Sequence, residues 1–306
     1  MELSCNDLFL LSQCAISAAC QAGHAIAKYS RSDLSVSTKD GGASLAAQVV
    51  TEVDHLSQAI ILQTLLPTCE MFDLALLSEE SPDDGERLNK DFFWSIDPLD
   101  GTLPFIEGVP GYSVSIALVS RAGEPIIGVV YDPLTQTVYH AIMGQGAWKD
   151  GQPLKPIELS KPAAQTLLFL TDKSFAQDPL YPATLIELDY LATELGYAGA
   201  ALKLQGGAAM NACQVLTTKP ACYFKFPKPQ VGGGSIWDYA ATACLFNEVG
   251  LPFSDALGRT LVLNPEGSTF MNHCGVLYCH DQDIADRMIR AYNNLSQIKK
   301  QFKVSS

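Results

Sequence analysis

A chain of 306 residues is larger than one ordinary core, so two domains or one large α/β body are expected. Its composition is globular, 47% apolar and 17% charged, and its formal net charge is −13. That charge argues against binding a nucleic-acid polymer, which needs a basic face, but allows a small phosphorylated ligand, because bound divalent metal reverses the local field.

Residues 1–27 contain no Lys or Arg, so the basic region of a signal peptide is missing. Leu8, Leu11, Ala15, Ala18, Ala22 and Ile26 recur at helical spacing and predict an amphipathic helix. No segment elsewhere is long and apolar enough to span a membrane, and no membrane association is expected. Residues 30–50 are polar and Gly-rich (Ser35, Ser37, Lys39, Asp40, Gly41, Gly42) and read as a loop. Thr51-Glu52-Val53-Asp54 opens a helix to about Leu66, which Pro67 is expected to end. Asp54 is either a helix cap or a peripheral metal ligand. Nine scattered cysteines without a Cys-x-x-Cys pair read as buried reduced thiols of a cytoplasmic protein. The five histidines lack metal-ligand spacing, and no Gly-x-Ser-x-Gly elbow supports a serine hydrolase.

Glu79-Glu80-Ser81 ends an apolar run, Leu74–Leu77, and taken alone reads as a solvated turn. The run Phe92, Phe93, Trp94, Ile96 then reads as a buried strand that delivers two carboxylates, Asp97 and Asp100, where the chain turns. Pro98 fixes φ and has no N–H to satisfy. Gly101 lets the backbone come close to a ligand. Thr102 opens a short helix whose free N–H groups face an anion. Two acids, the Leu99 carbonyl and this turn suit a hard cation such as Mg²⁺ together with a phosphate.

Ser113–Val119, Pro125–Tyr131 and Thr137–Met143 predict a β-meander, and Asp150-Gly151 a hairpin turn. Further on, strands are predicted at Leu167–Leu170, Ala221–Phe226 and Gly275–Cys279. Helices are predicted at Pro182–Leu195, Gly207–Leu216, Asp238–Val249 and Gln282–Leu295, and the tail Lys299–Ser306 is expected to fray. The expected organisation is an α+β domain over residues 1–160 with a largely antiparallel sheet, then an α/β domain over 161–306. Within Gly232-Gly233-Gly234-Ser235-Ile236-Trp237-Asp238-Tyr239-Ala240-Ala241, Asp238 sits at a helix start, where capping is the plain alternative to a ligand role. A lone Gly run is weak evidence of a phosphate cradle.

Glu79-Glu80-Ser81, Asp97-Pro98-Leu99-Asp100-Gly101-Thr102 and Trp237-Asp238-x-Ala240-Ala241, in that order, resemble the inositol monophosphatase superfamily, and Thr51-x-x-Asp54 adds a weaker match. The resemblance covers about residues 7–290. It implies a layered αβαβα sandwich and a Mg²⁺-dependent, typically lithium-sensitive phosphatase holding two or three ions. By resemblance, Glu79, Asp97 and the Leu99 carbonyl bind a first ion; Asp97, Asp100 and Asp238 bind a second; Glu80 and Asp54 lie near a third. Thr102 with Glu79 would orient the attacking water, the Gly101 and Thr102 amides would hold the phosphate, and Ala208 would touch the organic part of the substrate. A homodimer is common among such proteins. The residue types suit the chemistry, since phosphomonoester hydrolysis depends on neutralising charge and on positioning.

The chain departs from the superfamily pattern where the substrate is read. Gln48 stands where many members have Asp. Val231 stands seven residues before Asp238, where inositol monophosphatases usually place a Glu. Lys225 and Lys228 lie just upstream, either as solvated lysines or as contacts for a second anionic group, such as the 5′-phosphate of a 3′,5′-bisphosphonucleotide. The expected substrate is therefore a 3′(2′),5′-bisphosphate nucleotide, with inositol monophosphate and then a sugar bisphosphate as alternatives. A catalytically silent binding protein on the same fold is the reading of a different class.

Overall fold

The computed structural model describes residues 2–29, 43–156, 164–218, 220–230 and 234–304. Helix α1 (Cys5–Lys28) begins with a reciprocal cap. The Asp7 amide donates to Ser4 Oγ (3.3 Å), and the Ser4 amide donates to Asp7 Oδ2 (2.9 Å). Its expected apolar stripe is buried.

Helix α2 (Ala43–Met71) is longer at both ends than the expected Thr51–Leu66. Residues 43–50, expected in a loop, are helical, because Ala-Ser-Leu-Ala-Ala-Gln-Val-Val contains no Gly or Pro to stop propagation. Residues 30–42 lie outside the described chain. Pro67 sits inside the helix rather than ending it. Its ring removes one backbone donor, but the last turn is anchored through its neighbour. Thr68 Oγ1 donates to Leu65 O (2.6 Å) and accepts from Trp94 Nε1 (2.9 Å) in the core.

The first sheet has seven strands in chain order: β1 (Ala75–Ser78), β2 (Phe92–Asp100), β3 (Ser113–Ser120), β4 (Pro125–Asp132), β5 (Thr137–Ile142), β6 (Gly146–Lys149) and β7 (Gln152–Pro153). β1 and β2 are parallel and the rest antiparallel. The β6–β7 hairpin turns at Asp150-Gly151, both at positive φ (49° and 73°), as that dipeptide predicts. After β2 comes the short helix α3 (Thr102–Glu107).

The second half builds β8 (Leu167–Thr171), helix α4 (Tyr181–Glu194), β9 (Ala200–Leu204), helix α5 (Ala208–Thr217), β10 (Ala221–Lys225), helix α6 (Ile236–Val249), β11 (Phe253–Ser254), β12 (Val276–Cys279) and helix α7 (Gln282–Val304). The five strands order as β11-β12-β10-β8-β9, with β10, β8 and β9 mutually parallel. β9 is not among the expected strands: its alternation, with Ala200, Leu202 and Leu204 inward and Ala201 and Lys203 outward, spans only five residues on a half-exposed edge paired to β8. The tail expected to fray instead continues α7 through Val304.

Strand alternation sorts the core into layers. Trp94, Ile96, Val114, Ile116 and Leu118 pack under α1 and α2, whereas Phe93, Ala117 and Val119 face α6. In the second sheet, Tyr223 and Tyr278 face the middle layer, while Phe169, Phe224 and Leu277 pack against residues of α4 and α7. The expected αβαβα sandwich results, with α5 and α6 between the sheets. Burial on both sides explains why α6 is apolar nearly all round. Among the described residues no helix is long and apolar enough to cross a membrane. The nine cysteines are unpaired; Cys213, Cys222, Cys244 and Cys279 are buried as expected, whereas Cys5 is exposed.

Gly128 marks the closest approach of α6 to the first sheet. A Cβ there would lie 2.2 Å from Ala241 O, a backbone atom with no rotamer to move. Gly128→Ala is expected to destabilise the protein by about 1–3 kcal/mol or more through overpacking, read from a denaturant midpoint.

Candidate active site

Asp97 and Asp100 are three residues apart on one strand, a spacing that sends side chains to opposite faces. The β2–β3 register shifts between them: Asp97 pairs with Ser115, and Asp100 with Ser113. The irregularity falls at Pro98-Leu99, where proline has no ladder donor to lose, and it turns both carboxylates toward one place. Asp238 reaches that place from the first turn of α6. Carboxylate oxygens of Asp97, Asp100 and Asp238 lie within 4.8 Å of one another, an acidic group that could hold a metal ion.

Each acid is fixed by backbone. Leu99 N donates to Asp97 Oδ1 (3.0 Å), and Ser57 Oγ of α2 donates to the Pro98 carbonyl (2.7 Å). The Ala208 and Ala209 amides at the start of α5 donate to the two oxygens of Asp100 (2.9 and 2.8 Å). Asp238 takes the Ser235 amide (2.6 Å) in a capping box, so the capping reading holds alongside its place in the cluster. Ser115 Oγ donates to the Trp237 carbonyl (3.0 Å) and ties α6 to β3. Gly207 had no assigned role from sequence, yet a Cβ there would sit 2.3 Å from Asp100 Oδ2. Its neighbour Ala208, a substrate contact by resemblance, and its own place at the start of a predicted helix were the signals in the sequence.

Glu79 follows β1 and shares a hydrogen bond with Asp97. The residue is open to solvent overall, but its carboxyl end lies among the other acids. Asp54 of α2 is buried near Glu79 and Glu80. Gln58 braces this loop by accepting from Ser78 Oγ (2.5 Å) and donating to Ser81 Oγ (3.2 Å). Thr102 is exposed at the start of α3, next to Gly101 at φ 85°.

Asp100, Gly101, Ala208, Lys225 and Asp238 line one hollow of about 230 Å³. Its far wall is formed where the parallel strands β8, β9 and β10 end, at Asp172, Gln205 and Lys225. Lys225 is not a solvated lysine. It is mostly buried, pairs with Asp172 at 2.7 Å and donates to Tyr239. Lys228 is absent from this lining; it reaches Ser174 Oγ (3.4 Å) over a neighbouring hollow. Val231 lies outside the described residues, as does the side chain of Gln48.

Burial, then the nearby acids, pushes the Asp54 carboxyl up to about 8. Burial and Asp238 raise Glu79 to about 7, and burial and Asp238 raise Asp100 to about 8. Burial, with Glu79 next, holds Asp97 well above the carboxylate range. Burial also raises Asp238, against the opposing pull of Lys225. Burial works to lower Lys225, but Tyr239, Asp172 and Asp238 outweigh it, and Lys225 stays charged.

A raised folded-state pKa means that folding favours the protonated acid. In metal-free protein this stabilisation is complete below the usual carboxylate values and is lost as pH rises through about 7 for Glu79 and about 8 for Asp54 and Asp100. The melting temperature in chelator is therefore expected to fall between about pH 5 and about pH 8.5, and added Mg²⁺ is expected to restore most at the alkaline end.

A family profile described as the inositol monophosphatase family matches residues 8–297. Nus factor SuhB of Haemophilus influenzae is 34% identical over 240 residues, 77% of this chain and 81% of that protein. The 3′(2′),5′-bisphosphate nucleotidase CysQ of Salmonella typhimurium is 31% identical over 227 residues, 73% of this chain and 82% of that protein. The solved inositol monophosphatase from Anabaena shares the fold, with a TM-score of 0.67 at 24% identity, covering 94% of this chain and 97% of that one. On a match that runs almost from end to end, this chain belongs to the inositol monophosphatase family and, like its members, is a phosphatase.

Proposed function

We propose that this phosphatase is Mg²⁺-dependent and hydrolyses the monoester of a small phosphorylated metabolite, with a 3′(2′),5′-bisphosphate nucleotide preferred. The observation that carries the first part is the donor set. Asp97, Asp100 and Asp238 converge within 4.8 Å, Glu79 is bonded to Asp97, and all four offer only oxygen. Acids so placed raise one another's pKa, and the arrangement suits a hard divalent cation. Glu79, Asp97 and the Leu99 carbonyl would hold one ion; Asp97, Asp100 and Asp238 a second; Asp54 and Glu80 lie near a third, weaker position. Bound there, the metal supplies charge neutralisation for the phosphoryl group and lowers the pKa of water.

The protein's own groups do the positioning. Glu79 and Thr102 orient the attacking water. The Gly101 and Thr102 amides hold phosphate oxygens. Asp100 cannot swing toward the phosphate, because both its oxygens are held by amides, so the site needs little rearrangement during reaction. Ala208 and the ends of β8–β10 face the organic part.

Lys225 supports the nucleotide preference as a charged group on that wall, and the similarity to CysQ agrees. Lys228 does not support it, since it lines a different hollow. Inositol 1-phosphate is the alternative, followed by a sugar bisphosphate. The converging buried acids speak against a silent binding protein, which would gain only their desolvation cost. The unpaired cysteines suit a reducing compartment such as the cytoplasm.

Phosphate release with Mg²⁺ is to be measured on 3′-phosphoadenosine 5′-phosphate, inositol 1-phosphate and fructose 1,6-bisphosphate, with and without Li⁺. The nucleotide is expected to give the highest kcat/KM, and equal or better turnover of inositol 1-phosphate would overturn that preference. Asp97→Asn and Asp100→Asn are expected to keep native circular dichroism, to lose calorimetric Mg²⁺ uptake, and to lose more activity than the ~10–100-fold that a supporting contact costs. Wild-type turnover in either variant would sink the metal assignment.

A further inference from the structure

Two lysines line the hollow, and they are not equivalent. Lys225 is fixed: its side chain is 13% exposed and is held by Asp172 and Tyr239. Lys173 opens the 3-10 turn Lys173–Gln177 just after β8, and its side chain is 41% exposed. Its ammonium pairs with Glu107, the last residue of α3, itself 35% exposed. This pair bridges the segment that follows Asp100–Thr102 to the segment that follows β8, at the edge of the hollow.

An exposed ion pair of this kind is weak, because water screens it. A phosphate brings more charge and more acceptor oxygens than a carboxylate, so it can compete with Glu107 for Lys173. Ser174 lies beside Lys173 in the same lining. Its hydroxyl accepts from Lys228 (3.4 Å), which leaves its proton to donate. Leu103, 50% exposed in the same lining, offers apolar surface to an organic body.

Resting on the reading that this hollow hydrolyses a phosphomonoester, we propose that Lys173, with Ser174, is the specificity-determining contact for a second phosphate on the substrate. Glu107 is the internal anion that occupies Lys173 until that phosphate arrives. Lys225 forms the fixed charged wall, and Lys173 the exchangeable contact. Substrates with one phosphate leave the Lys173–Glu107 pair closed.

The test compares substrates that share the scissile phosphate. The pairs are 3′-phosphoadenosine 5′-phosphate against adenosine 3′-phosphate, and inositol 1,4-bisphosphate against inositol 1-phosphate. In wild type the bisphosphate of at least one pair is expected to have the higher kcat/KM. Lys173→Ala is expected to reduce that ratio by about ten- to a hundredfold, the size of one charged hydrogen bond, mainly through KM. Lys173→Arg is expected to retain the ratio, and Glu107→Gln to raise it. A ratio unchanged in Lys173→Ala, or no bisphosphate preference in wild type, overturns this proposal and leaves the phosphatase reading standing. No phosphate release from any of the four compounds overturns both.

Discussion

Buried carboxylates repel one another, and the hollow is arranged so that its acids cannot relieve this by moving apart. Asp97 is held by the Leu99 amide, Asp100 by two amides at the start of α5, and Asp238 by its own capping box. Backbone donors do not rotate away as side chains do. The unfavourable electrostatics are therefore built into the fold; protonation relieves them at low pH, and a cation bound among the acids would relieve them at higher pH. Burial raises the pKa of Asp54, Glu79, Asp97, Asp100 and Asp238 first, and neighbouring acids of the cluster add to it for Asp54, Glu79, Asp97 and Asp100.

The sandwich divides the work between its layers. The first sheet supplies Glu79, Asp97 and Asp100 from the ends of β1 and β2. The middle layer supplies Asp238 from α6 and the amides of α5. The second sheet supplies the wall at the ends of its parallel strands, a common place for ligands in parallel sheets. In the proposed reading, the first sheet and the middle layer supply the acids, and the second sheet faces the organic part of the substrate. Gly128 and Gly207 carry no chemistry, but they allow the close approaches, α6 onto β4 and α5 onto Asp100, that join the two.

Much of this was legible in the sequence because it is local. The acidic motifs, the β-meander, the Asp150-Gly151 turn and the helix at α6 follow from residue type and periodicity over a few positions. Pro98 and Gly101 announced the irregular turn. Pro67 misled because the helix it should have ended is anchored by Trp94, a residue distant in sequence. β9 escaped notice because its alternation is only five residues long and no residue in it is fully buried; its pairing to β8 makes it a strand.

The lysines make the division plain. By sequence, Lys225 and Lys228 are near-equivalent and Lys173 is unremarked. In the fold, Lys225 is clamped between Asp172 and Tyr239, Lys228 lies over another hollow, and Lys173 stands at the edge of the hollow with Glu107. Sequence by itself determined which residues can carry the chemistry, because ligand type, turn geometry and helix capping are properties of short segments. Only the tertiary structure decided which of them meet and which charges are already answered, because those partners come from elements far apart in the chain and are brought together by packing alone.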